Sequence, residues 1–284
     1  MLVNLKEILE IAEKQKNAIG MFNATGFDSL QAVIGAAEEL DQPVIIAHAE
    51  VHNVYNDISF VGPAMIAAAK NAKVPVCVHL DHGTSLEMIW RALRIGFTSV
   101  MIDASALPYE QNLSMTKEVT GIAHAMGVSV EAELGRLVTP ESGAKADGKT
   151  LRPEDYYTDP TEAKAFCEAT GIDALAIAFG TAHGFYTAQP KLDFDVVKNV
   201  AKATGLPLVM HGGSGVSDEG FRSAIANGIR KINYYSYMSK AGYEAAKATI
   251  EAGNTKYLHD VEFAAMQAMK ENVKAAIRIF WGIK

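Results

Sequence analysis

Apolar residues follow two alternating patterns along this chain. Short continuous apolar runs, rich in valine and isoleucine, are separated by longer stretches in which apolar residues recur three or four positions apart. The short runs are typical of strands that are buried on both faces, and the longer stretches are typical of helices that bury one side. Glycine marks several helix ends, for example at 170–173 and 203–207. This alternation predicts a parallel α/β fold.

The pattern predicts strands and helices in strict alternation. The strands are predicted at 19–22, 43–46, 74–79, 99–102, 129–134, 174–179, 207–210 and 229–233. The helices between them are predicted at 29–40, 62–71, 85–95, 109–126, 161–170, 193–204 and 218–227, and the tail 236–284 is predicted to add two more. This arrangement fits a (β/α)8 TIM barrel of roughly 250 residues better than two doubly wound domains. No segment has the composition of a linker, so we expect one barrel domain over residues 1–284.

One segment interrupts the alternation. The segment Gly135 to Thr158 is rich in proline, glycine and charged residues, and it is too long for an ordinary connection between a strand and a helix. In a barrel this loop would follow strand five and lie over the catalytic face, where it could act as a lid. The alternative is a surface insertion without a function.

Charge and composition narrow the class of protein. The 284 residues are 49% hydrophobic and carry a formal charge of −7, which argues against nucleic acid as a partner. The charged N-terminus is unlike a signal peptide, and no apolar run reaches the roughly 20 residues that span a membrane. Cys77 lies in an apolar strand far from Cys167, so buried thiols are favoured over a disulfide. We therefore expect a cytoplasmic protein without a membrane partner.

Histidines stand at the ends of three predicted strands, each followed directly by glycine. Asp81 and His82 end strand three, His183 follows strand six and His211 follows strand seven. A single histidine of this kind could simply cap a helix, and His79 is expected to face the surrounding helices. All strand ends of a barrel open onto one face, so the three imidazoles are expected to converge there. Three neutral imidazoles with an open fourth position form a catalytic zinc site.

A glycine-rich turn follows the third histidine. Gly212, Gly213 and Ser214 precede a predicted helix, and Asn233 to Ser236 lead into another. Such a turn could be merely tight, but the loops after strands seven and eight are the usual phosphate site of a barrel. A metal beside a phosphate suggests a phosphorylated carbonyl substrate whose enolate the metal stabilises. Asp81 is then the natural proton carrier, and Glu133 is a partner or alternative ligand of the metal site.

These residues belong to motifs that carry a resemblance to a known family. The chain resembles the class II (zinc-dependent) fructose/tagatose-bisphosphate aldolases over nearly its whole length and in the family's order. The matching segments are Gly20–Asn23, Leu80–Gly83, Glu131–Arg136, Tyr157–Pro160, Gly180–Gly184, Leu192–Phe194, His211–Gly215 and Lys231–Asn233.

The resemblance implies a role for each matched position. His82, His183 and His211 match the zinc ligands, Asp81 matches the acid/base at the C4 hydroxyl, and Glu133 matches a carboxylate near the mobile zinc. The implied substrate-binding residues are Asn23, Gly184, Gly212, Gly213, Ser214, Asn233 and Ser236, most of which hold the phosphate of dihydroxyacetone phosphate. Family members also often bind a monovalent cation (Na⁺ or K⁺) and form homodimers or homotetramers.

Two departures from the family affect the other half of the substrate. Ala49 takes the place of a serine that usually contacts the far phosphate, while His48 and His52 add imidazoles. The loop after Arg136 lacks the usual Gly-Gly-Glu-Asp run, and Glu141 is a candidate for its carboxylate. The aldehyde half of the substrate is therefore the open question.

Three functional readings follow from the sequence. The first is an aldolase that reversibly cleaves a ketose 1-phosphate, by default fructose or tagatose 1,6-bisphosphate, to dihydroxyacetone phosphate and glyceraldehyde 3-phosphate. A variant of it uses a ketose 1-phosphate with a different C6 group, such as 6-deoxy-6-sulfofructose 1-phosphate. The second is a metal-dependent phosphosugar hydrolase or isomerase, because a fold alone does not fix the chemistry. The third is a sugar-phosphate sensor without catalysis.

Overall fold

Eight parallel strands close into a barrel in the computed structural model, which describes residues 1–135, 145–146, 149–150, 156–185 and 190–283. The strands are β1 (Ile19–Asn23), β2 (Val44–Ala49), β3 (Val76–Gly83), β4 (Ser99–Ile102), β5 (Ser129–Leu134), β6 (Ala174–Ile177), β7 (Leu208–Met210) and β8 (Ile229–Asn233). Neighbours pair in chain order, and β8 pairs back with β1. The predicted (β/α)8 barrel is confirmed.

Helices surround the barrel at the predicted places. They are α1 (Leu5–Gln15), α2 (Phe27–Leu40), α3 (Ile58–Asn71), α4 (Leu86–Ile95), α5 (Tyr109–Ala125), α6 (Pro160–Thr170), α7 (Phe194–Thr204), α8 (Asp218–Asn227), α9 (Ser236–Glu251) and α10 (Leu258–Trp281). The two helices expected after the last strand are α9 and α10. Helix α3 begins a turn earlier than predicted because Asp57 caps it by accepting a hydrogen bond from the N–H of Ser59 at 2.9 Å.

Helix α1 is absent from the prediction, although its signal is in the sequence. Its buried residues Leu5, Ile8, Leu9 and Ala12 recur at helical spacing, and Asn4 and Glu7 cap each other's backbone N–H groups. The helix contacts strands β1, β3, β5 and β8. It therefore closes the barrel at the end opposite the histidines.

Strand β3 extends further than predicted, past the polar residues at its end. Its pairing with β4 shifts between Leu80 and Gly83, so Asp81 and His82 lie in an irregularity of the ladder. Bulges of this kind change the direction of a side chain, and they are frequent beside active sites.

A cluster of buried charged and polar side chains lies inside the barrel, and it shows that the expectation for His79 was wrong. Residues two apart on a strand share a face, so His79 points into the barrel with Asp81. Its Nδ1 lies 2.8 Å from Ser99 Oγ, and its Nε2 lies 3.8 Å from Glu131 Oε2. Lys231, fully buried, donates from Nζ to Glu131 Oε1 at 3.0 Å, and its Nζ forms an ion pair with Glu131 Oε2 at 2.8 Å.

Three further sequence expectations bear on these regions. Cys77 and Cys167 are buried free thiols, as expected. No helix in the described part of the chain has an apolar stretch long enough to cross a membrane. Most of the expected lid, including Glu141, lies outside the described residues. The described parts are Gly135, the paired backbone of Lys145–Ala146 and Lys149–Thr150, and residues 156–158.

The Lys231–Glu131 pair gives a prediction about stability. We expect Lys231→Met to lower the free energy of unfolding by about 3–5 kcal/mol, because it leaves a buried carboxylate without its cation. The matched control is Lys270→Met, whose partner Glu39 lies at the surface, and it should cost about 1 kcal/mol or less. Urea unfolding measures both. The double variant Lys231→Met/Glu131→Gln should recover part of the loss; equal losses for the two lysine variants would contradict this account.

Candidate active site

A cavity of about 600 Å³ opens at the carboxyl ends of the strands and brings nearly all the predicted site residues together. The predicted residues that line it are Asn23, Asp81, His82, Glu133, His183, Gly184, Gly212, Gly213, Ser214, Asn233 and Ser236. The remaining one, His211, is fully buried and lies against His82 in the cavity wall. The barrel therefore collects residues that are far apart in the sequence, as its geometry requires.

The backbone at His82 adopts a conformation that is costly for a histidine. Its φ of 47° lies in the left-handed region, which disfavours side chains by roughly 1–3 kcal/mol. A Cβ on the following Gly83 would lie 2.8 Å from the carbonyl oxygen of Met101, so only glycine fits there. Strain of this kind is kept where a side chain must point in one direction, and here it directs His82 toward the other histidines.

The three imidazoles form a compact cluster. The ring centroid of His82 lies 4.6 Å from that of His211 and 5.0 Å from that of His183. The centroids of His183 and His211 are 5.9 Å apart. One ring nitrogen of each lies within 4.8 Å of the others. The convergence expected from the strand ends is thus present in the structure.

Two carboxylates fix which nitrogens face the centre of the cluster. His82 donates from Nδ1 to Asp103 Oδ2 at 2.7 Å, and His211 donates from Nε2 to Glu131 Oε1 at 2.9 Å. The remaining nitrogens, His82 Nε2 and His211 Nδ1, lie 3.0 Å apart and face each other. A proton or a cation must lie between them, because two lone pairs at that distance repel. A carboxylate behind each metal-bound histidine is the usual support of a zinc ligand.

The cluster's geometry and ionisation fit a divalent metal. Tetrahedral nitrogen ligands about 2.0–2.1 Å from zinc stand roughly 3.3 Å apart, close to the His82–His211 separation. Burial, and then the other two imidazoles, lower the pKa of His183 to about 3, and burial also lowers that of His211, so both are neutral as ligation requires. Burial opposes protonation of His82, but Asp81 and Asp103 raise its pKa to about 10. Its proton occupies the place that a cation would take.

Asp81 is held in the cavity by two amides. Asn23 donates to its Oδ2 at 2.9 Å and Asn233 donates to its Oδ1 at 3.1 Å. Burial would raise the pKa of this carboxyl, but the nearby positive charge, mainly from His82, outweighs burial and holds the pKa well below its usual range. The carboxylate is therefore ionised, oriented and 3.9 Å from His82 Nε2.

Glu133 differs from Asp81 in its ionisation. Its Oε2 lies 3.4 Å from His211 Nδ1, and with His82 and Asp103 it forms a second group that could hold a metal ion. Burial, and then the Asp103 charge, raise its pKa to about 8. The pKa of Asp81 is thus lowered and that of Glu133 is raised. Two carboxyls whose pKa values are shifted apart can serve one site as proton acceptor and proton donor.

The loops after β6, β7 and β8 form a cradle of closely packed backbone. Gly212 has a φ of 65°, and a Cβ there would lie 2.3 Å from the carbonyl oxygen of Ala182. Ser214 Oγ accepts a hydrogen bond from the N–H of Tyr235 at 3.1 Å. Helix α9 begins at Ser236, and its first N–H groups have no partner within the helix. The cradle can therefore hold an anion with backbone donors.

Gly213 contributes to this cradle through close packing of the backbone and not through its N–H group. Its N–H donates to the Asn233 carbonyl oxygen at 3.1 Å, so this donor is already used within the protein. A Cβ at Gly213 would lie 2.8 Å from the same oxygen, and glycine lets the two loops touch.

The side of the cavity after β2 has a different lining. Ala49, Val51 and His52 stand there, and His48 is fully buried outside the cavity. Among the described residues that line the cavity, none is lysine or arginine. The serine-to-alanine departure noted in the sequence therefore lies on this wall.

Sequence reasoning did not assign roles to Asp103, Glu131 and Lys231. Asp103 directly follows β4, and a polar residue at that position is the signal that found Asp81, so the sequence could have indicated it. Glu131 and Lys231 lie within strands rather than at their ends. A charged residue inside a buried strand is unfavourable without a partner, and two such residues predict each other.

Comparison with known proteins places the chain among aldolases. The family profile described as "Fructose-bisphosphate aldolase class-II" matches residues 3–282. A fructose-bisphosphate aldolase of Staphylococcus aureus strain Mu50 is 39% identical over 285 residues, covering 98% of this chain and 97% of that protein. The crystal structure of the YdjI aldolase from Escherichia coli K12 has a TM-score of 0.87 at 38% identity, covering 99% of this chain and 97% of that chain.

A more distant structure agrees in fold. The fructose-bisphosphate aldolase from Campylobacter jejuni has a TM-score of 0.77 at 22% identity, covering 98% of this chain and 95% of that chain. The profile match over nearly all residues and the two relatives near 39% identity go beyond a likeness of fold. The chain belongs to the class II fructose-bisphosphate aldolase family.

Proposed function

We propose that this protein is a zinc-dependent aldolase that reversibly cleaves a ketose 1-phosphate to dihydroxyacetone phosphate and an aldehyde. The observation that supports it most is the convergence of three imidazole nitrogens within 4.8 Å beside the oriented carboxylate of Asp81. His82, His183 and His211 are the proposed zinc ligands. Bound zinc supplies a Lewis acid that polarises the substrate's carbonyl group.

Asp81 is the proposed proton carrier. In cleavage its carboxylate takes the proton of the C4 hydroxyl, the C3–C4 bond breaks, and its electron pair passes to the dihydroxyacetone phosphate half as an enolate. The new C4 carbonyl leaves as the aldehyde, and protonation at C3 completes dihydroxyacetone phosphate. Asn23 and Asn233 fix both carboxylate oxygens, so the proton acceptor has a single orientation. Glu133 is a proposed second carboxyl in this proton exchange, because its pKa of about 8 lets it change charge near neutral pH.

The phosphate of dihydroxyacetone phosphate is proposed to lie in the cradle after β6 to β8. Support comes from the start of α9 at Ser236 and from the tight glycine backbone at 212–213. Gly184 and Ser214 line the same part of the cavity. A backbone cradle explains how a phosphate can be held where the described lining has no lysine or arginine.

The aldehyde half allows two candidates. Fructose or tagatose 1,6-bisphosphate is the default, because the S. aureus relative is named a fructose-bisphosphate aldolase. A ketose 1-phosphate with a different C6 group, such as 6-deoxy-6-sulfofructose 1-phosphate, is favoured by one observation: Ala49, without a hydroxyl, lines the cavity on this side.

A phosphosugar hydrolase or isomerase on the same barrel remains the rival of another class. It would need an activated water instead of an enolate. Solvent exchange of a C3 proton of dihydroxyacetone phosphate that depends on zinc supports the aldolase, and its absence supports the rival.

The setting of the enzyme is also part of the proposal. The buried free thiols Cys77 and Cys167 suit a reducing, cytoplasmic compartment. By analogy with the family we propose a homodimer or homotetramer and a monovalent cation, Na⁺ or K⁺, near the phosphate.

The roles of Asp81 and His183 can be separated by substitution. Asp81→Ala should retain bound zinc but lose cleavage by roughly 100-fold or more, because it removes a proton carrier and no ligand. His183→Ala should lose both zinc and activity. Metal analysis of the purified variants and a cleavage assay measure this; zinc loss in Asp81→Ala would mean that Asp81 supports the metal instead. Exhaustive chelation that leaves wild-type turnover intact would contradict the zinc proposal itself.

The Ala49 wall gives a prediction about substrate choice. We expect kcat/KM for fructose 1-phosphate to lie within roughly tenfold of that for the bisphosphates, because this wall offers the second phosphate no hydroxyl. Ala49→Ser should shift the preference toward the bisphosphates by roughly tenfold or less, the effect of one hydrogen bond. Steady-state cleavage of fructose 1,6-bisphosphate, tagatose 1,6-bisphosphate, fructose 1-phosphate and 6-deoxy-6-sulfofructose 1-phosphate tests it. A wild-type preference for bisphosphates by orders of magnitude would contradict the Ala49 argument.

A further inference from the structure

His52 stands in the cavity wall beside Ala49 and has no role in the chemistry described above. Its ring packs against Tyr235 with a centroid distance of 4.8 Å, so it lies between the β2 side of the cavity and the start of α9. Its Nδ1 is buried and has no hydrogen-bond partner among the described residues. Because Nδ1 is shielded by protein, the ring lines the cavity with its other edge, and a bound molecule would meet that edge.

The segment that carries His52 is fixed at several points. Glu50 accepts hydrogen bonds from the N–H and Oγ1 of Thr84 at 2.6 and 3.1 Å, which joins the segment to the end of β3. Asn53 accepts from the N–H of Ile58 at 2.8 Å, and Asn56 donates to the Thr25 carbonyl oxygen at 3.4 Å. A side chain on such a fixed segment can select a substrate, because its position does not adapt to whatever binds.

The charge on His52 limits what it can recognise. Burial lowers its pKa, against the opposing effect of the Asp81 carboxylate, so the ring is neutral near pH 7. In a neutral imidazole the nitrogen on the cavity edge can donate or accept one hydrogen bond, and a hydroxyl group can supply either partner. A phosphate is better matched by lysine, arginine or several backbone N–H groups, and Ala49 and Val51 beside His52 supply none of these from their side chains.

We infer that His52 is a specificity-determining residue that hydrogen-bonds a hydroxyl group on the aldehyde half of the substrate. This inference rests on the proposed aldolase function and deepens it. The aldehyde it selects is a hydroxylated one such as glyceraldehyde, whose hydroxyls meet His52 while its carbonyl carbon meets the dihydroxyacetone phosphate enolate. In this assignment His52 contacts the aldehyde half alone, so it affects the choice of aldehyde and not the formation of the enolate.

The test separates the aldehyde-dependent step from the step before it. Purified zinc-loaded enzyme is assayed for condensation of dihydroxyacetone phosphate with D-glyceraldehyde and with propanal, which has the same carbon chain without hydroxyls. The same preparations are assayed for solvent exchange of the dihydroxyacetone phosphate proton, which needs no aldehyde. We expect His52→Ala to reduce the glyceraldehyde-to-propanal ratio of kcat/KM by roughly tenfold, the effect of one hydrogen bond, with the loss confined to condensation.

Two further variants make the result specific. His52→Gln keeps a donor and should retain part of the ratio, whereas His259→Ala, whose side chain is 76% exposed on α10, should leave both reactions as in the wild type. An unchanged ratio in His52→Ala, with exchange intact, overturns the inference. A parallel fall of exchange and of both condensations also overturns it, because His52 then only supports the site. Absence of exchange in the wild type overturns the aldolase proposal and the inference with it.

Discussion

Both the barrel interior and the histidine cluster depend on one set of interactions, those of the fully buried Glu131 carboxylate with Lys231 and His211. Burial of a carboxylate is unfavourable by several kcal/mol unless it is paired. Burial alone would raise the pKa of Glu131, but Lys231 and the hydrogen bond from His211 lower it to about 2. The ionised carboxylate keeps a proton on His211 Nε2 and so leaves Nδ1 to face His82. A charge pair in the core thereby determines the tautomer of a proposed metal ligand.

The sequence predicted the parts of the site that depend on topology. The carboxyl ends of parallel barrel strands share one face, so the sequence alone predicted that four residues meet there: Asp81, His82, His183 and His211. The glycine-rich loop was informative for a similar reason, since glycine is required wherever backbones touch. Helix boundaries were also close, because apolar spacing and capping residues are local signals.

The parts that the sequence did not predict depend on three-dimensional contact. The bulge that directs His82 arises from pairing between β3 and β4, which a linear pattern of polarity does not contain. The expectation that His79 faces the helices placed it and Asp81 on opposite faces of the strand. Residues two apart share a face, and His79 lies in the interior beside Ser99 and Glu131. Helix α1 is a local exception, because its apolar spacing and its capping residues are both present in the sequence although it was not predicted.

The packing of the loops after β6 and β7 has a consequence for recombination within the family. With the Gly212 backbone pressed against Ala182, the loops that carry His183 and His211 have to be inherited as one unit. A chimera with a crossover between residues 182 and 212 would combine loops from two parents that never evolved in contact. Crossovers on either side of the Glu50–Val54 turn leave that unit whole, so a library that exchanges this turn can sample new selectivities on an unaltered catalytic frame.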